Sequence, residues 1–325
     1  MTAHLEPLVS VWMITYNQEA YLAQAIDSVL MQETDFPFEI VIGEDCSTDR
    51  TRDICLKYQH QHPGRVRLVL HEKNVGLVCN FWETLQQCRG KYVAQLEGDD
   101  YWSDTKKLQK QVALLEAHPG YSFCYHLFDH VDQAGQLEGE HKVPLSKEDL
   151  PPDCETRMVI DAKWSPVQTL TLMFRRDAFP GMPAWIYHLP IFDWPLHFYL
   201  TRAGKGLFLN ENMACYRSHS GGVWSGTGHI ANSLRYYHFY LSVLNAHKGE
   251  YDHYLIPRIR YHTREMLEEA LPSSDAKTAA HRFWLYIRHH APAHMDWKFS
   301  CFILLKIAGF LVSSSRIWFG RLRGA

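Results

Sequence analysis

The sequence predicts an α/β fold: a Rossmann-like sheet, mixed but mainly parallel, flanked by helices and followed by a helical C-terminal extension. Three observations carry this. Over the first 120 residues, short β-rich apolar runs alternate four times with stretches of 3.6-residue apolar spacing, a repetition that favours parallel strands joined by crossover helices. From about residue 121 the runs become longer and β-rich without regular helices between them. After about residue 228 the pattern is helical. The expected division is therefore 1–228 and 229–325.

Leu8 to Thr15 reads as a buried strand, and Asn17 can cap a helix whose apolar face is Leu22, Ala25, Ile26, Val29 and Leu30. Phe38 to Gly43 is a second strand, with a Ser47-Thr48-Asp49 turn and a helix carrying Ile54, Leu56 and Tyr58 behind it. His62-Pro63-Gly64 stops that helix, and Arg65 to His71 is the third strand. A helix from about Leu77 to Gln87 leads through Arg89-Gly90 to a fourth strand, Lys91 to Leu96. The next helix contains Leu108, Val112 and Leu115 and ends at Pro119-Gly120. Tyr121 to Val131 and Val167 to Phe174 read as strands, 135–152 as a loop, and 205–209 with 212–217 as two short strands around a turn. The helical remainder is expected to break at Pro257 and at Leu271-Pro272-Ser273-Ser274.

Composition narrows the function. With 325 residues and 46% hydrophobic content the chain can bury a large core. The net charge of −3 argues against a nucleic-acid surface, which needs clustered positive charge. Eight scattered cysteines without a Cys-x-x-Cys pair fit neither a disulfide scaffold nor a zinc knuckle, and point to a reducing compartment. The first residues, MTAHLEPLVS, lack a basic segment followed by an apolar one, so a cytoplasmic location is expected.

In open α/β sheets, ligands sit beyond the carboxyl ends of the strands. Three polar clusters fall there: Thr15-Tyr16-Asn17, Glu44-Asp45 and Glu97-Gly98-Asp99-Asp100. The last holds three carboxylates within four residues, which repel one another unless a cation or hydrogen bonds offset them. Hard oxygen donors suit Mg²⁺ or Mn²⁺. The alternative is a solvated acidic turn ahead of a helix capped by Ser103 or Asp104, just as Ser47, Thr48 and Asp49 can serve only as caps.

Seven blocks stand in order between residues 8 and 225: Val11 to Glu19, Gly43 to Asp49, Asn74 to Gly76, Arg89 to Val93, Glu97 to Trp102, Phe192 to Leu196 and Tyr216 to Ser225. Together they resemble glycosyltransferase family 2. That resemblance implies a GT-A fold, an inverting sugar transfer, a divalent cation (Mn²⁺ or Mg²⁺) and a nucleotide-sugar donor, with a UDP-sugar the leading expectation. It also implies a glycan or lipid-linked acceptor, in cell-surface polysaccharide assembly.

Position by position, the resemblance assigns Thr15, Tyr16, Asn17 and Glu19 to the first nucleotide-binding loop and Asp45 to reading the base. Glu97-Gly98-Asp99 takes the place of the family's Asp-x-Asp, with Asp99 the metal ligand and Glu97 a departure from the usual Asp. Asp100 is expected to face the donor sugar; Trp102 and Trp224 are candidates to pack on it, although a Trp is equally a core residue. Asp193 aligns with the catalytic base; the alternative is a helix N-cap. Phe192 replaces the acid that usually precedes that base. His219, ahead of Ser220-Gly221-Gly222, is expected to complete the metal shell or touch phosphate; otherwise it is a loop histidine held by a carbonyl. A second class of function, a non-catalytic sugar-nucleotide binder, would have no need of Asp193. A sugar-1-phosphate nucleotidyltransferase would need a Gly-rich phosphate loop that Thr15-Tyr16-Asn17-Gln18 does not offer.

From Trp297 onward the chain has five basic residues and no acid, around the apolar run Cys301 to Val312. Twelve helical residues reach about 18 Å, short of the ~30 Å hydrocarbon core. A helix near 299–319 lying on an anionic membrane surface, or buried on the catalytic domain or in a homodimer, is expected instead.

Overall fold

The structure, a computed structural model, describes residues 6–138, 153–161, 167–179, 181–224 and 226–273. In chain order its elements are β1 (Val9–Thr15), α1 (Leu22–Leu30), β2 (Phe38–Glu44), α2 (Thr51–Gln61), β3 (Val66–Leu70), α3 (Leu77–Gln86), β4 (Tyr92–Glu97), β5 (Tyr101–Trp102) and α4 (Lys107–Ala117). Then come β6 (Tyr121–Val131), β7 (Asp153–Cys154), α5 (Thr156–Asp161), β8 (Met173–Arg175), α6 (Asp193–Ala203), β9 (Lys205–Arg217), α7 (His229–Ala246) and α8 (Asp252–Ser273).

One sheet runs β3-β2-β1-β4-β8-β6-β9-β5, with β7 beside β9. The first four strands are parallel, as alternation with helices requires. Register decides which residues meet at the sheet's edge. Thr15 lies opposite Glu44, and Ile14 opposite Glu97, so the carboxyl ends of β1, β2 and β4 come level on one edge. β8 is antiparallel to both β4 and β6. β5 runs antiparallel to β9, pairing Tyr101 with Cys215 and Trp102 with Ala214, which carries Arg217 back beside the acidic turn.

β1 is buried along its whole length. Val9, Val11 and Met13 face the α1 residues Leu22, Ala25, Ile26 and Val29 in the main core. On the other face Trp12 meets Phe81 edge-on at 4.9 Å and Phe192 at 5.7 Å, while Phe81 and Phe192 stack at 5.2 Å. Each such side chain contributes about 1.5–3 kcal/mol by leaving water.

Several elements differ from the sequence expectation. The helix after β1 starts at Leu22, and Asn17 does not cap it: Asn17 holds φ 53° and its side chain turns to another loop. The Val167 to Phe174 strand shortens to β8, because Thr169–Thr171 forms a 3-10 turn closed by Thr171 N–H donating to Gln168 O. The two short strands expected at 205–217 are one strand, β9, whose irregularities beside β6 absorb the intervening polar residues. Pro257 does not break α8; near the helix start it removes one backbone donor and the helix continues to Ser273.

Backbone contacts divide the chain into units 1–226 and 227–325. In the second, α7 and α8 pair. His262 lies stacked on Tyr236 and Tyr240, and Ser233 Oγ donates to Glu265 Oε2 at 2.9 Å. Among the described residues no helix is long and apolar enough to cross a membrane. The segment 299–319 lies outside the described residues.

One buried cation belongs to the core of the first unit. Lys107 is fully buried; its Nζ donates to Gln111 Oε1 at 2.6 Å and stands 4.0 Å from the centre of the Trp102 ring. Burial pushes its pKa down to about 7, against about 10.4 in an unfolded chain. The unfolded state therefore binds more protons between these values, and stability rises with pH across that window. From pH 7 to 9 the wild type is expected to gain about 2 kcal/mol relative to Lys107→Met, measured by urea unfolding at each pH.

Candidate active site

The level strand ends open onto a cavity of about 320 Å³. From the end of β1 and the loop after it, Thr15, Tyr16 and Gln18 line it. Thr15 Oγ1 and Gln18 Oε1 are buried and have no hydrogen-bond partner among the described residues. Gly98 makes room for both, since a Cβ there would stand 2.5 Å from Gln18 Oε1 and 2.9 Å from Thr15 Oγ1. Asn17 and Glu19 lie off the cavity and tie two loops together. Asn17 Oδ1 accepts from Thr48 N–H at 2.8 Å, and Glu19 Oε2 from Arg50 N–H at 2.9 Å.

At the end of β2, Asp45 lines the cavity while its carboxylate accepts from Val75 N–H at 2.7 Å and Gly76 N–H at 3.0 Å. It thereby pins the 74–76 loop, whose turn needs the positive φ of 85° at Gly76. A carboxylate has lone pairs for about four donors, so capacity for a further N–H remains. Glu44 beneath it is buried, accepts from Ser47 N–H at 2.6 Å and pairs with Arg52.

The acidic turn divides its side chains. Glu97 and Asp99 line the cavity. Glu97 Oε2 accepts from Thr169 Oγ1 at 3.0 Å, and burial, with Asp99 and then Asp193 nearby, pushes its pKa up to about 8. Asp99 Oδ2 lies 3.0 Å from His219 Nε2. Asp100 does not line the cavity. It is 2% exposed, and its Oδ1 accepts from Arg217 N–H at 2.8 Å. Burial, then Asp99 and Glu97, hold its pKa well above the usual carboxylate range. The expectation that Asp100 faces the sugar is thus corrected: it fastens the turn to β9. Of the two readings of Trp102, the structure takes the core one. It is buried in the core, with Nε1 donating to Leu170 O at 3.0 Å.

Asp193 lines the same cavity as Asp99, although 94 positions separate them. It is the first residue of α6 and not its N-cap, which is Phe192. Phe192 is 1% exposed and stacked on Phe81, so the aromatic that stands in place of an acid belongs to the core and fixes the start of α6. Gly221, Gly222, Val223 and Trp224 complete the far wall. Gln18, Asn74 and Tyr216, which lie in the quoted sequence blocks without an individual role, and Gln168 and Thr169, which sequence reasoning passed over, also line the cavity. Among the described lining residues there are four carboxylates (Asp45, Glu97, Asp99, Asp193) and no lysine or arginine. Ligand oxygens of Glu97, Asp99 and Asp100 lie within 4.8 Å of one another. An oxygen-rich set so crowded suits a hard divalent cation, which relieves the repulsion.

Comparison with known proteins agrees with this geometry. Residues 10–179 match the profile of the family described as Glycosyl transferase family 2. Uncharacterized protein Rv1520 of Mycobacterium tuberculosis (strain ATCC 25618 / H37Rv) is 37% identical over 218 residues, 66% of this chain and 60% of that protein. The chain thus spans about 60% of the length of the curated relative it matches. Among solved structures, S. aureus TarS 1-349 in complex with UDP-GlcNAc superposes with TM-score 0.63 at 19% identity, covering 86% of this chain and 81% of that one. Mannosyltransferase PcManGT from Pyrobaculum calidifontis, in complex with GDP-Man and Mn²⁺, gives TM-score 0.57 at 14% identity, covering 94% and 86%. The shared architecture is the GT-A fold.

The position of Trp102 has a direct consequence. Trp102→Phe removes a buried donor from Leu170 O and is expected to lower stability by about 1–3 kcal/mol, measured by urea unfolding, while nucleotide binding in calorimetric titration stays unchanged.

Proposed function

The chain belongs to glycosyl transferase family 2, and on that premise we propose that it moves a sugar, with inversion, from a nucleotide-diphosphate sugar to a hydroxyl of a glycan or lipid-linked acceptor. A divalent cation, Mn²⁺ or Mg²⁺, belongs to the proposal, as does a role in cell-surface polysaccharide assembly. So does a cytoplasmic location, peripheral to the membrane's inner face through segment 299–319 or with that segment in a homodimer. One observation carries the reading: Asp99 and Asp193, distant in sequence, share one cavity.

The chemistry is supported by what each residue offers. A hydroxyl is a poor nucleophile at neutral pH, and a carboxylate that takes its proton as the new bond forms is worth roughly 10²–10⁴-fold. Asp193 at the start of α6 is kept in the ionised form a base needs, because a helix N-terminus favours negative charge. Asp99 and His219 would hold the cation, with Glu97 beside them. When bound, the cation would stabilise the charge that gathers on the departing diphosphate. The absence of lysine and arginine among the described lining residues supports strict cation dependence, since a diphosphate would otherwise meet four carboxylates. Thr15 Oγ1 and Gln18 Oε1 are buried polar atoms awaiting a partner, and a bound donor would satisfy them. Asp45 and the loop it pins would take the base. UDP-GlcNAc in TarS and GDP-Man in PcManGT support a nucleotide-sugar donor, with UDP-sugars first to be tried.

Asp193→Asn is expected to keep donor binding within about twofold while transfer falls at least ~100-fold, read by calorimetry beside a radiolabelled transfer assay. Treatment with EDTA is expected to abolish transfer, and Mn²⁺ to restore it. Near-normal turnover by Asp193→Asn, or activity indifferent to EDTA, would remove the corresponding role.

A further inference from the structure

Arg217 is 4% exposed, and its contacts join β9 to three other segments. Its Nε donates to the main-chain carbonyl of Asp99 at 3.0 Å, and one terminal nitrogen donates to Gln24 Oε1 on α1 at 2.7 Å. The other terminal nitrogen donates to Gln133 O at 3.1 Å, in the turn after β6. Its own N–H meets Asp100 Oδ1 at 2.8 Å. The guanidinium carbon lies 4.9 Å from the Tyr21 ring centre and 5.4 Å from that of Tyr101.

This arrangement uses what only an arginine offers: a rigid planar fork with five N–H donors and faces that stack on aromatic rings. It grips Asp99 by the backbone, while the carboxylate of the same residue, facing the cavity, lies 3.0 Å from His219 Nε2. With the Asp99 carbonyl held and Asp100 fastened behind it, the turn has little freedom to rotate Asp99 away.

We propose that Arg217 is the positioning residue of the cation site, holding the Glu97–Asp100 turn so that the Asp99 carboxylate points into the cavity. Arg217 does not line the cavity; it acts through Asp99. The inference rests on the cation-dependent reading above, and it adds a residue to it.

The test is direct titration of the full-length protein with Mn²⁺, free ion being followed by electron paramagnetic resonance, together with unfolding curves and the Mn²⁺ dependence of transfer. Arg217→Lys keeps the charge and loses the fork; it is expected to weaken Mn²⁺ binding about tenfold or more, with kcat at saturating Mn²⁺ within about threefold of wild type. Gln24→Ala alters an exposed residue that reaches the site only through Arg217, and is expected to weaken Mn²⁺ binding about threefold. Wild-type Mn²⁺ affinity in both variants overturns the inference, as does a loss in Arg217→Lys that saturating Mn²⁺ leaves in place. If Arg217→Lys does not fold, Gln24→Ala decides: a shift supports the inference and no shift overturns it. A wild-type protein that binds no Mn²⁺ overturns the cation-dependent reading itself.

Discussion

Negative charge held at close quarters is the constraint on which the rest of this structure depends. Among the described residues four carboxylates face one cavity, and a fifth, Asp100, lies buried beside them. The pKa values of Glu97 and Asp100 are raised, first by burial and then by the neighbouring carboxylates. A fold does not retain such crowding for stability, because apolar residues of similar volume would pack there more favourably. Crowding becomes sensible when the site is completed by positive charge from outside the chain, and perturbed carboxylates in a cleft are a common mark of function.

The sheet delivers these groups through register. Level strand ends bring Thr15, Asp45 and Glu97 to one edge, a result of two parallel pairings in the same phase. Asp193 arrives by a different route, on the first turn of α6, where Phe192 is locked among Trp12, Phe81 and Phe179. The aromatic cluster under β1 therefore has two duties: it fills the core on that face, and it sets where the helix that carries Asp193 begins. β5 and β9 supply the remaining fastening, returning the chain to the acidic turn.

Much of this was legible in the residues alone. The alternation of apolar runs located β1 to β4 and their helices, and the rule that ligands gather at carboxyl strand ends located Asp45, Glu97 and Asp99. What local pattern could not give was side-chain direction within turns. Asp100 and Trp102 stand beside cavity residues in sequence, yet they turn inward because β5 pairs with β9 more than a hundred residues later. Asn17 and Glu19 look like ligand contacts for the same reason, while their partners are the amides of Thr48 and Arg50 in a neighbouring loop. Thr169 carried no signal at all; only its 3-10 turn brings it to Glu97.

The most direct measurement is a crystal structure of the protein with Mn²⁺ and an intact UDP-sugar, collected where manganese scatters anomalously. The account requires an anomalous peak within about 2–2.5 Å of an Asp99 oxygen, the diphosphate in the same cavity, and the anomeric carbon on the Asp193 side of the sugar. Manganese bound elsewhere, or a donor lying with its anomeric carbon turned from Asp193, would contradict it.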